Sequence, residues 1–277
     1  MPEIEYMEEL AKKIEKGEIK FLDENDEFVF ACDQCGKCCR NRGDILLSPL
    51  DLYNLVRATG KSITEVIDRY GDCYIGSHSN LPVVRLRFRE DLDGTSTCFF
   101  LGRRDGKFYC RVHEQKPGVC RMYPLGKAAV VNKDVEAAPI KVPRYFLQDD
   151  PPKGTCVGID RAKSENIKQR VIDWVGGTER KQISDVYSHI FHDFLMEFGK
   201  KLKPSKLQGA PMLYNFYYAC VSALMYLEYD FTVNPGPFLS RMAENLRRIL
   251  DLTDIAMKSP DKFLRWAEEG FENNASD

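Results

Sequence analysis

Apolar residues follow two different spacings along this chain. In the first 160 residues, short apolar runs such as 28–31 and 98–101 are separated by turn residues, which is typical of short strands. Beyond that point helical spacing dominates, and it predicts helices at residues 160–174, 184–203, 211–230, 238–256 and 260–269. The pattern therefore predicts an α+β protein whose second part is all-helical.

Two local features of the first part have strong turn and capping chemistry. Ser48 is placed to cap a helix over residues 49–59, with Asp51 at its N3 position. The Asp-Gly pair at 105–106 predicts a tight hairpin, and we expect Cys98 and Cys110 to lie on its opposite arms. These features predict a compact, strand-rich domain around the cysteines.

A Pro- and Gly-containing stretch at 151–159 separates the two parts. We predict an N-terminal helix over 3–16 within a lead-in of residues 1–27. A cysteine-rich domain of short strands and helices over 28–160 would follow, and then an all-α domain over 161–277.

Four thiols occur within eight residues, as Cys32, Cys35, Cys38 and Cys39. Cysteines separated by two residues can turn both sulfurs toward one point, and Gly36 allows the loop to bend tightly. Neighbouring residues of an extended chain point to opposite sides, so the first three cysteines would share one centre, and Cys39 would face either a second centre or a neighbouring face of a cluster. This spacing indicates thiolate ligation of zinc, iron or an iron–sulfur cluster, which would nucleate the domain.

Four further cysteines complete the predicted ligand set. They are Cys98, Cys110, Cys120 and Cys156, so that eight thiols would fill two four-coordinate sites. Basic residues beside the cysteines would offset the negative charge of a thiolate centre; they are Lys37, Arg40, Arg42, Arg111 and Arg121.

Disulfide bonds are the main alternative for an even number of cysteines, of which the chain has 10. The first residues are acidic and do not resemble a signal peptide, so we expect a reducing, cytoplasmic location and metal ligation instead. Cys73 and Cys220 stand apart in apolar or aromatic sequence, and we expect them to be buried and inert.

The order of the cysteine motifs resembles the YkgJ-type CxxCxxCC cysteine-cluster family. The matching segments are C-x-x-C-x-x-C-C at 32–39, TCFFL at 97–101, CRVHE at 110–114 and KPGVCRMYP at 116–124. The resemblance extends over about residues 28–158 and implies a zinc- or iron-chelating domain, in some members an iron–sulfur oxidoreductase. Flagellin lysine N-methylases carry a related domain, which implies methyl transfer from S-adenosylmethionine to a protein lysine as an alternative function.

Three histidines that lie near carboxylates or cysteines in the sequence are weaker candidates for metal ligands than the cysteines. His113 follows Cys110 by three residues and is either a ligand or a packing residue that hydrogen-bonds a thiolate. His189 and His192 have acidic neighbours, but a role at the helix surface is the simpler interpretation. The aromatic segment 214–227 is either a buried bundle helix or the wall of a ligand pocket.

Composition limits the range of functions. The formal net charge of −2 argues against a general electrostatic grip on nucleic acid or on an anionic membrane, and no apolar run is long enough to span one. Iron, an iron–sulfur cluster or zinc is the expected cofactor. The open functions are metal binding with electron transfer, methylation of a protein substrate, and a non-enzymatic module that docks a protein partner.

Overall fold

A computed structural model describes residues 12–132, 140–148 and 158–274. The strands are β1 (Phe21–Leu22), β2 (Glu27–Val29), β3 (Leu46–Leu47), β4 (Gly71–Ile75), β5 (Pro82–Leu86), β6 (Phe88–Glu90), β7 (Ser96–Cys98), β8 (Leu101–Arg104), β9 (Lys107–Cys110), β10 (Leu125–Asn132), β11 (Ile140–Leu147) and β12 (Lys168–Arg170). The helices are α1 (Pro49–Thr59), α2 (Ile63–Tyr70), α3 (Gly118–Met122), α4 (Gly158–Glu165), α5 (Val171–Trp174), α6 (Gly177–Lys201), α7 (Pro204–Gln208), α8 (Pro211–Ser222), α9 (Pro235–Lys258) and α10 (Pro260–Asn274). A π-helix, Ala223–Leu227, follows α8, and 3₁₀ turns lie at Lys37–Cys39 and His113–Gln115.

The chain divides into two compact units, each made of segments that are separated in sequence. The first unit comprises Met1–Cys38, Arg103–Tyr109 and Gly118–Gln182. The second comprises Cys39–Gly102, Cys110–Pro117 and Ile183–Asp277. The predicted domain boundaries after residues 27 and 160 stay predictions.

The first unit is organised around small antiparallel sheets. One has the strand order β1-β11-β10, and β2 pairs separately with β12, where Phe28 lies opposite Gln169. Their inner faces and the adjoining α5 region form a core of Leu22, Phe28, Phe30, Leu125, Tyr145, Val171 and Val175. Burial of each large apolar side chain contributes roughly 1.5–3 kcal/mol. This core therefore fixes the segment that leads into Cys32.

The second unit contains an antiparallel sheet in the order β3-β5-β4. Helix α1 starts at a capping box in which the Ser48 hydroxyl accepts a hydrogen bond from the Asp51 amide, while the Asp51 carboxylate accepts from the Ser48 amide. The helix ends at Gly60, whose φ of 64° is left-handed. The predicted cap at Ser48 and the predicted N3 position of Asp51 are confirmed.

Helices α8, α9 and α10 pack against one another in the second unit. The hydroxyls of Tyr217 on α8 and Thr253 on α9 are 2.8 Å apart in a fully buried hydrogen bond. The Tyr226 hydroxyl donates to the backbone oxygen of Pro82 over 2.9 Å, which joins the π-helix to β5. The aromatic segment 214–227, for which the sequence allows a buried bundle helix or a pocket wall, is buried only in part: six of its fourteen residues are buried, whereas Asn215, Ala219 and Leu227 are exposed.

The predicted single helix over 160–174 is wrong. It is divided into α4 and α5 by strand β12. Asn166, with a left-handed φ of 51°, follows the end of α4, and the next residues pair with β2. The region predicted as all-helical therefore contains one short strand, placed there by a partner about 140 residues earlier.

The expected positions of Cys98 and Cys110 are confirmed only in part. Asp105 and Gly106 form the predicted turn between β8 and β9, with φ values of 49° and 77°, and Cys110 ends the second arm. Cys98 lies instead on β7, which pairs with β6 and places it opposite Phe88. A turn at residues 99–100 separates Cys98 from the hairpin.

The α+β class is confirmed by short antiparallel strands in the first part and long helices in the second. Of the helix predicted over 3–16, residues 12–15 are helical, and residues 1–11 lie outside the described part. Among the described residues, no helix combines the length and apolar character needed to cross a bilayer.

Candidate metal centre

The loop between Cys32 and Cys38 is bent by two residues in left-handed conformation. Gln34 has a φ of 53° and Gly36 a φ of 70°. The backbone oxygen of Gln34 accepts a hydrogen bond from the Phe108 amide over 2.9 Å. A Cβ atom at Gly36 would lie 2.9 Å from the Phe108 ring, so the loop needs glycine there for both its φ and its packing. The motif is thus held against β9 in a sharply curved form.

The base of this loop contacts the start of α4. The Ala31 amide donates to the backbone oxygen of Gly158 over 3.2 Å, and a Cβ at Gly158 would lie 2.3 Å from the Ala31 oxygen. Arg161, one turn further along α4, forms an ion pair with Asp33. Cys156 lies outside the described residues, but Gly158, two residues beyond it, packs beside the residue that precedes Cys32.

The short helix that carries Cys120, α3, is linked through Trp174 to the segment that precedes Cys32. The indole nitrogen of Trp174 donates to the backbone oxygens of Met122 and Tyr123, each over 3.2 Å. The Phe30 ring meets Tyr123 and Trp174 edge to face, with ring centroids 6.4 Å and 5.2 Å apart. Phe30 precedes Cys32 by two residues, so the first unit brings the segment before Cys32 close to the helix that carries Cys120 and to the start of α4 at Gly158.

The second unit brings another pair of cysteine-bearing segments together. Arg40 and Thr97 form an isolated antiparallel bridge, and the Asn41 amide donates to the Ser96 oxygen over 2.7 Å. In this register Cys39 and Cys98 occupy facing backbone positions, and facing residues of an antiparallel pair have Cα atoms roughly 5 Å apart.

Cys110 belongs to the same neighbourhood of the second unit. The Phe100 amide lies 3.4 Å from the Cys98 sulfur, and the Phe100 oxygen accepts from the Arg111 amide over 2.8 Å. Cys98 is buried and Cys110 is half-buried. His113 follows on an exposed 3₁₀ turn of this unit.

The donor atoms of the cysteine-bearing segments suit zinc or iron. The nine cysteines in the described part of the chain are all thiols, and Cys32, Cys35, Cys38 and Cys39 are exposed or half-buried. Sulfur donors on a sharply bent loop are typical of zinc and iron–sulfur sites. Across residues 12–132, 140–148 and 158–274, no three His, Cys, Asp or Glu side chains stand in positions that could hold an ion without adjustment. The eight-cysteine ligand set stays a prediction.

The two cysteines expected to be inert differ in their surroundings. Cys73 lies on β4 and is exposed, so the expectation that it is buried is wrong, whereas Cys220 on α8 is half-buried. Desolvation is the main cause that raises the pKa of both thiols, and nearby Asp72 adds to the effect at Cys73. A raised pKa favours the neutral thiol, which is a poor metal ligand.

The histidine candidates on α6 show no metal-like arrangement. His189 is exposed and its Nε2 lies 3.4 Å from a carboxylate oxygen of Asp193, one turn along the same helix. This geometry agrees with the interpretation of a surface position.

Several supporting residues were not recognisable from the sequence. Trp174, Gly158 and Arg161 contact the cysteine-bearing segments, yet each lies more than 120 residues from Cys32. Only Gly158, two residues beyond Cys156, stands near a motif that could have marked it.

Residues 31–138 match the model of the CxxCxxCC family, described as "Putative zinc- or iron-chelating domain". Seven of the eight candidate ligands fall inside this range, and Cys156 falls outside it. The chain has no significant match among curated proteins or among solved structures. The relation to YkgJ-type proteins and to flagellin N-methylases stays a prediction.

Proposed function

With residues 31–138 taken as a CxxCxxCC zinc- or iron-chelating domain, we propose that the chain holds its metal through cysteine thiolates in two separate centres. The division between the compact units falls between Cys38 and Cys39, and this observation carries the proposal. The peptide bond between two adjacent cysteines would then link a centre in each unit.

The first centre would use Cys32, Cys35 and Cys38. Its fourth ligand would come from Cys120 or Cys156, because the segments beside both pack against residues 30–31. The curved loop supports this assignment, since Gln34 and Gly36, both in left-handed conformation, bend the chain between the first and third cysteines. The Arg161–Asp33 ion pair holds the base of the loop to α4. Neither residue would bind the metal; the pair would fix the position of the cysteine loop.

The second centre would use Cys39, Cys98 and Cys110. The bridge between Arg40 and Thr97 supports the pairing of Cys39 with Cys98. The hydrogen bond between Phe100 and Arg111 supports the inclusion of Cys110, which precedes Arg111. His113 lies three residues after Cys110, and its imidazole would complete a Cys₃His ligand set.

For the first centre we propose more specifically that the metal is iron, bound as an iron–sulfur cluster. C-x-x-C-x-x-C with a remote fourth cysteine is the ligation pattern of bacterial ferredoxins, whereas zinc accepts the same donors without redox chemistry. A bound cluster would supply one-electron transfer; zinc would supply folding free energy alone. Thiolate ligation requires reduced cysteines, so the proposal includes a reducing, cytoplasmic location.

Metal analysis after anaerobic purification tests the proposal. We expect about two zinc or iron equivalents per chain for two mononuclear centres, and more iron with a visible absorption band for a cluster. Cys35→Ser should lower the metal content, whereas Cys73→Ser, which changes an exposed cysteine outside the ligand set, should leave it unchanged. Metal-free protein with cysteines paired in disulfides would refute the proposal.

A further inference from the structure

The hairpin of β8 and β9 turns one of its two faces toward the cysteine loop. Its two-residue turn at 105–106 places Arg103 opposite Phe108, on the same face, because residues next to each other on a strand point to opposite sides. The Phe108 ring packs on Gly36, where an added Cβ would lie 2.9 Å from the ring. Gly36 directly follows the second cysteine of the motif, so this face lies beside the loop proposed to hold the first metal centre.

Arg103 is the cation on this face of the hairpin. Its guanidinium carbon lies over the Phe108 ring, 5.5 Å from the ring centroid. The side chain is exposed, and no carboxylate in the described part of the chain pairs with it. Stacking uses the flat face of a guanidinium and leaves the N–H groups at its edge uncommitted. Arg103 is therefore a positive charge without an acidic partner, held at the ring that covers the loop.

Arg104, the next residue, has the same chemistry on the opposite face. Its guanidinium carbon lies 5.4 Å from the centroid of the Tyr109 ring, and Tyr109 is 36% exposed. Tyr109 follows Phe108 on β9, so the two rings point to opposite sides of the hairpin. The two arginines thus share charge, exposure and ring stacking, and they differ in the face that they occupy.

The cation at the base of the loop is already neutralised. Arg161 forms an ion pair with Asp33 and lies 3.3 Å from a carboxylate oxygen of Glu165. Two carboxylates thus share its single charge. A metal centre held by four thiolates carries net negative charge, and nearby cations that lack an acidic partner offset it best.

We propose that Arg103 is a positioning residue for the first metal centre, which offsets the negative charge of the thiolates and, through Phe108, holds the cysteine loop in its bent form. This inference rests on the proposed function, because the charge of Arg103 matters to the loop only when its cysteines bind a metal. The affinity of the first centre for metal then depends on the charge at position 103 and not on the charge at position 104.

Zinc affinity of the full chain tests the electrostatic part. It is measured by equilibrium competition with a chromophoric chelator in reducing, oxygen-free buffer, and the component that Cys35→Ser abolishes reports the first centre. Arg103→Gln should weaken this component about threefold and Arg103→Glu about tenfold, whereas Arg103→Lys keeps the charge and should change it less than about twofold. Arg104→Gln and Arg104→Glu are the matched controls and should leave it within about twofold.

Ionic strength separates the effect of charge from a loss of packing. At about 1 M salt the Debye length falls to about 3 Å, so the difference between Arg103→Glu and the unaltered chain should largely disappear. A difference that persists at high salt, or an Arg103→Lys variant as weak as Arg103→Gln, would overturn the electrostatic role. Equal losses in the Arg103 and Arg104 variants would overturn it as well, because they would report only the net charge of the chain.

Amide hydrogen exchange in the metal-free protein tests the contact with the loop. The Phe108 amide donates to the Gln34 oxygen over 2.9 Å, so its exchange reports whether the loop stays closed against β9. Loss of an exposed cation–π contact predicts about two- to fivefold faster exchange in Arg103→Gln, and Arg104→Gln should show no change at this amide. Exchange that is unaltered in Arg103→Gln would overturn the positioning role.

The outcomes also separate this inference from the proposed function. If the unaltered chain takes up no zinc, the proposed function fails, and the role of Arg103 fails with it. If the chain binds zinc through Cys35 but every Arg103 variant binds it with unaltered affinity, only the role of Arg103 is refuted.

Discussion

Arg40 and Thr97 are paired across an isolated antiparallel bridge, and this pairing sets Cys39 opposite Cys98. Thr97 is 2% exposed, and its hydroxyl donates to a carboxylate oxygen of Asp91 over 2.7 Å. Thr97 also lies opposite Arg89 in the β6–β7 pair. The position of Cys98 is therefore fixed from both sides, and Cys39 is brought to it by the chain that leaves the CxxC loop.

Paired substitutions test whether Cys39 and Cys98 serve one centre. Cys39→Ser and Cys98→Ser should each remove the metal of the second centre, and the double variant should lose no more than either alone, because residues that act as a unit are not additive. Combining Cys39→Ser with Cys35→Ser should remove the metal of both centres. Metal content per chain is the measurement, and additive losses from Cys39 and Cys98 would contradict a shared centre.

Gly36→Ala should both destabilise the first unit and lower its metal content. The left-handed φ costs about 1 kcal/mol for alanine, and the 2.9 Å approach to Phe108 adds to it, so a total of about 2–3 kcal/mol is expected. Gly94→Ala is a matched control, with a φ of 76° but no atom within 4 Å of the added Cβ. Urea unfolding and metal analysis should show a smaller cost and unchanged metal for the control. Equal effects would mean that the contact with Phe108 is unimportant.

Alkaline pH should destabilise the second unit through its buried tyrosines. Burial, with a smaller contribution from Tyr214, raises the pKa of Tyr218 to about 12, and its hydroxyl donates to the Asn80 oxygen over 3.1 Å. The unfolded chain releases this proton near pH 10, so the stabilisation is complete below about pH 10 and is lost as the pH rises toward 12. Tyr217 and Tyr226 have pKa values raised by burial and act in the same direction.

Urea unfolding between about pH 9 and pH 11 measures this dependence. Tyr218→Phe should make the decline in unfolding free energy less steep, whereas Tyr109→Phe, at an exposed tyrosine, should not. A steeper decline in Tyr218→Phe would contradict the sign of the effect.

Trp174→Phe should destabilise the first unit by about 1–3 kcal/mol. The change removes the donor to the Met122 and Tyr123 oxygens and part of the contact with Phe30. Trp266→Phe changes the other tryptophan, which is 49% exposed, and should alter the unfolding free energy by less than about 0.5 kcal/mol. Circular dichroism during urea titration measures both. Similar small changes would mean that Trp174 does not support the helix that carries Cys120.

Local chemistry explains which elements the sequence predicts well. Ser48, Asp51 and the Asp105-Gly106 pair act on neighbours within four residues, so their caps and turns are readable from the chain alone. The helix predicted over 160–174 failed because β12 is a strand only through its pairing with β2, far away in sequence. Cys98 lies outside the hairpin because a turn at residues 99–100 separates the two. Residues 99 and 100 are both phenylalanine, which does not indicate a turn.

The candidate sites follow the same rule. Cys32, Cys35, Cys38 and Cys39 are recognisable because their spacing itself carries the chemistry. The register between the segments of Cys39 and Cys98, and the approach of Phe108 to Gly36, far apart in sequence, depend on tertiary packing. No sequence pattern encodes such contacts directly.

X-ray absorption at the zinc and iron edges, on protein purified without oxygen, tests the central claim most directly. The account predicts bound zinc or iron whose nearest neighbours are mainly sulfur at roughly 2.3 Å, with sulfur scattering reduced in Cys35→Ser. A metal surrounded by oxygen or nitrogen alone, or no metal above trace level in protein whose cysteines form disulfides, would contradict it.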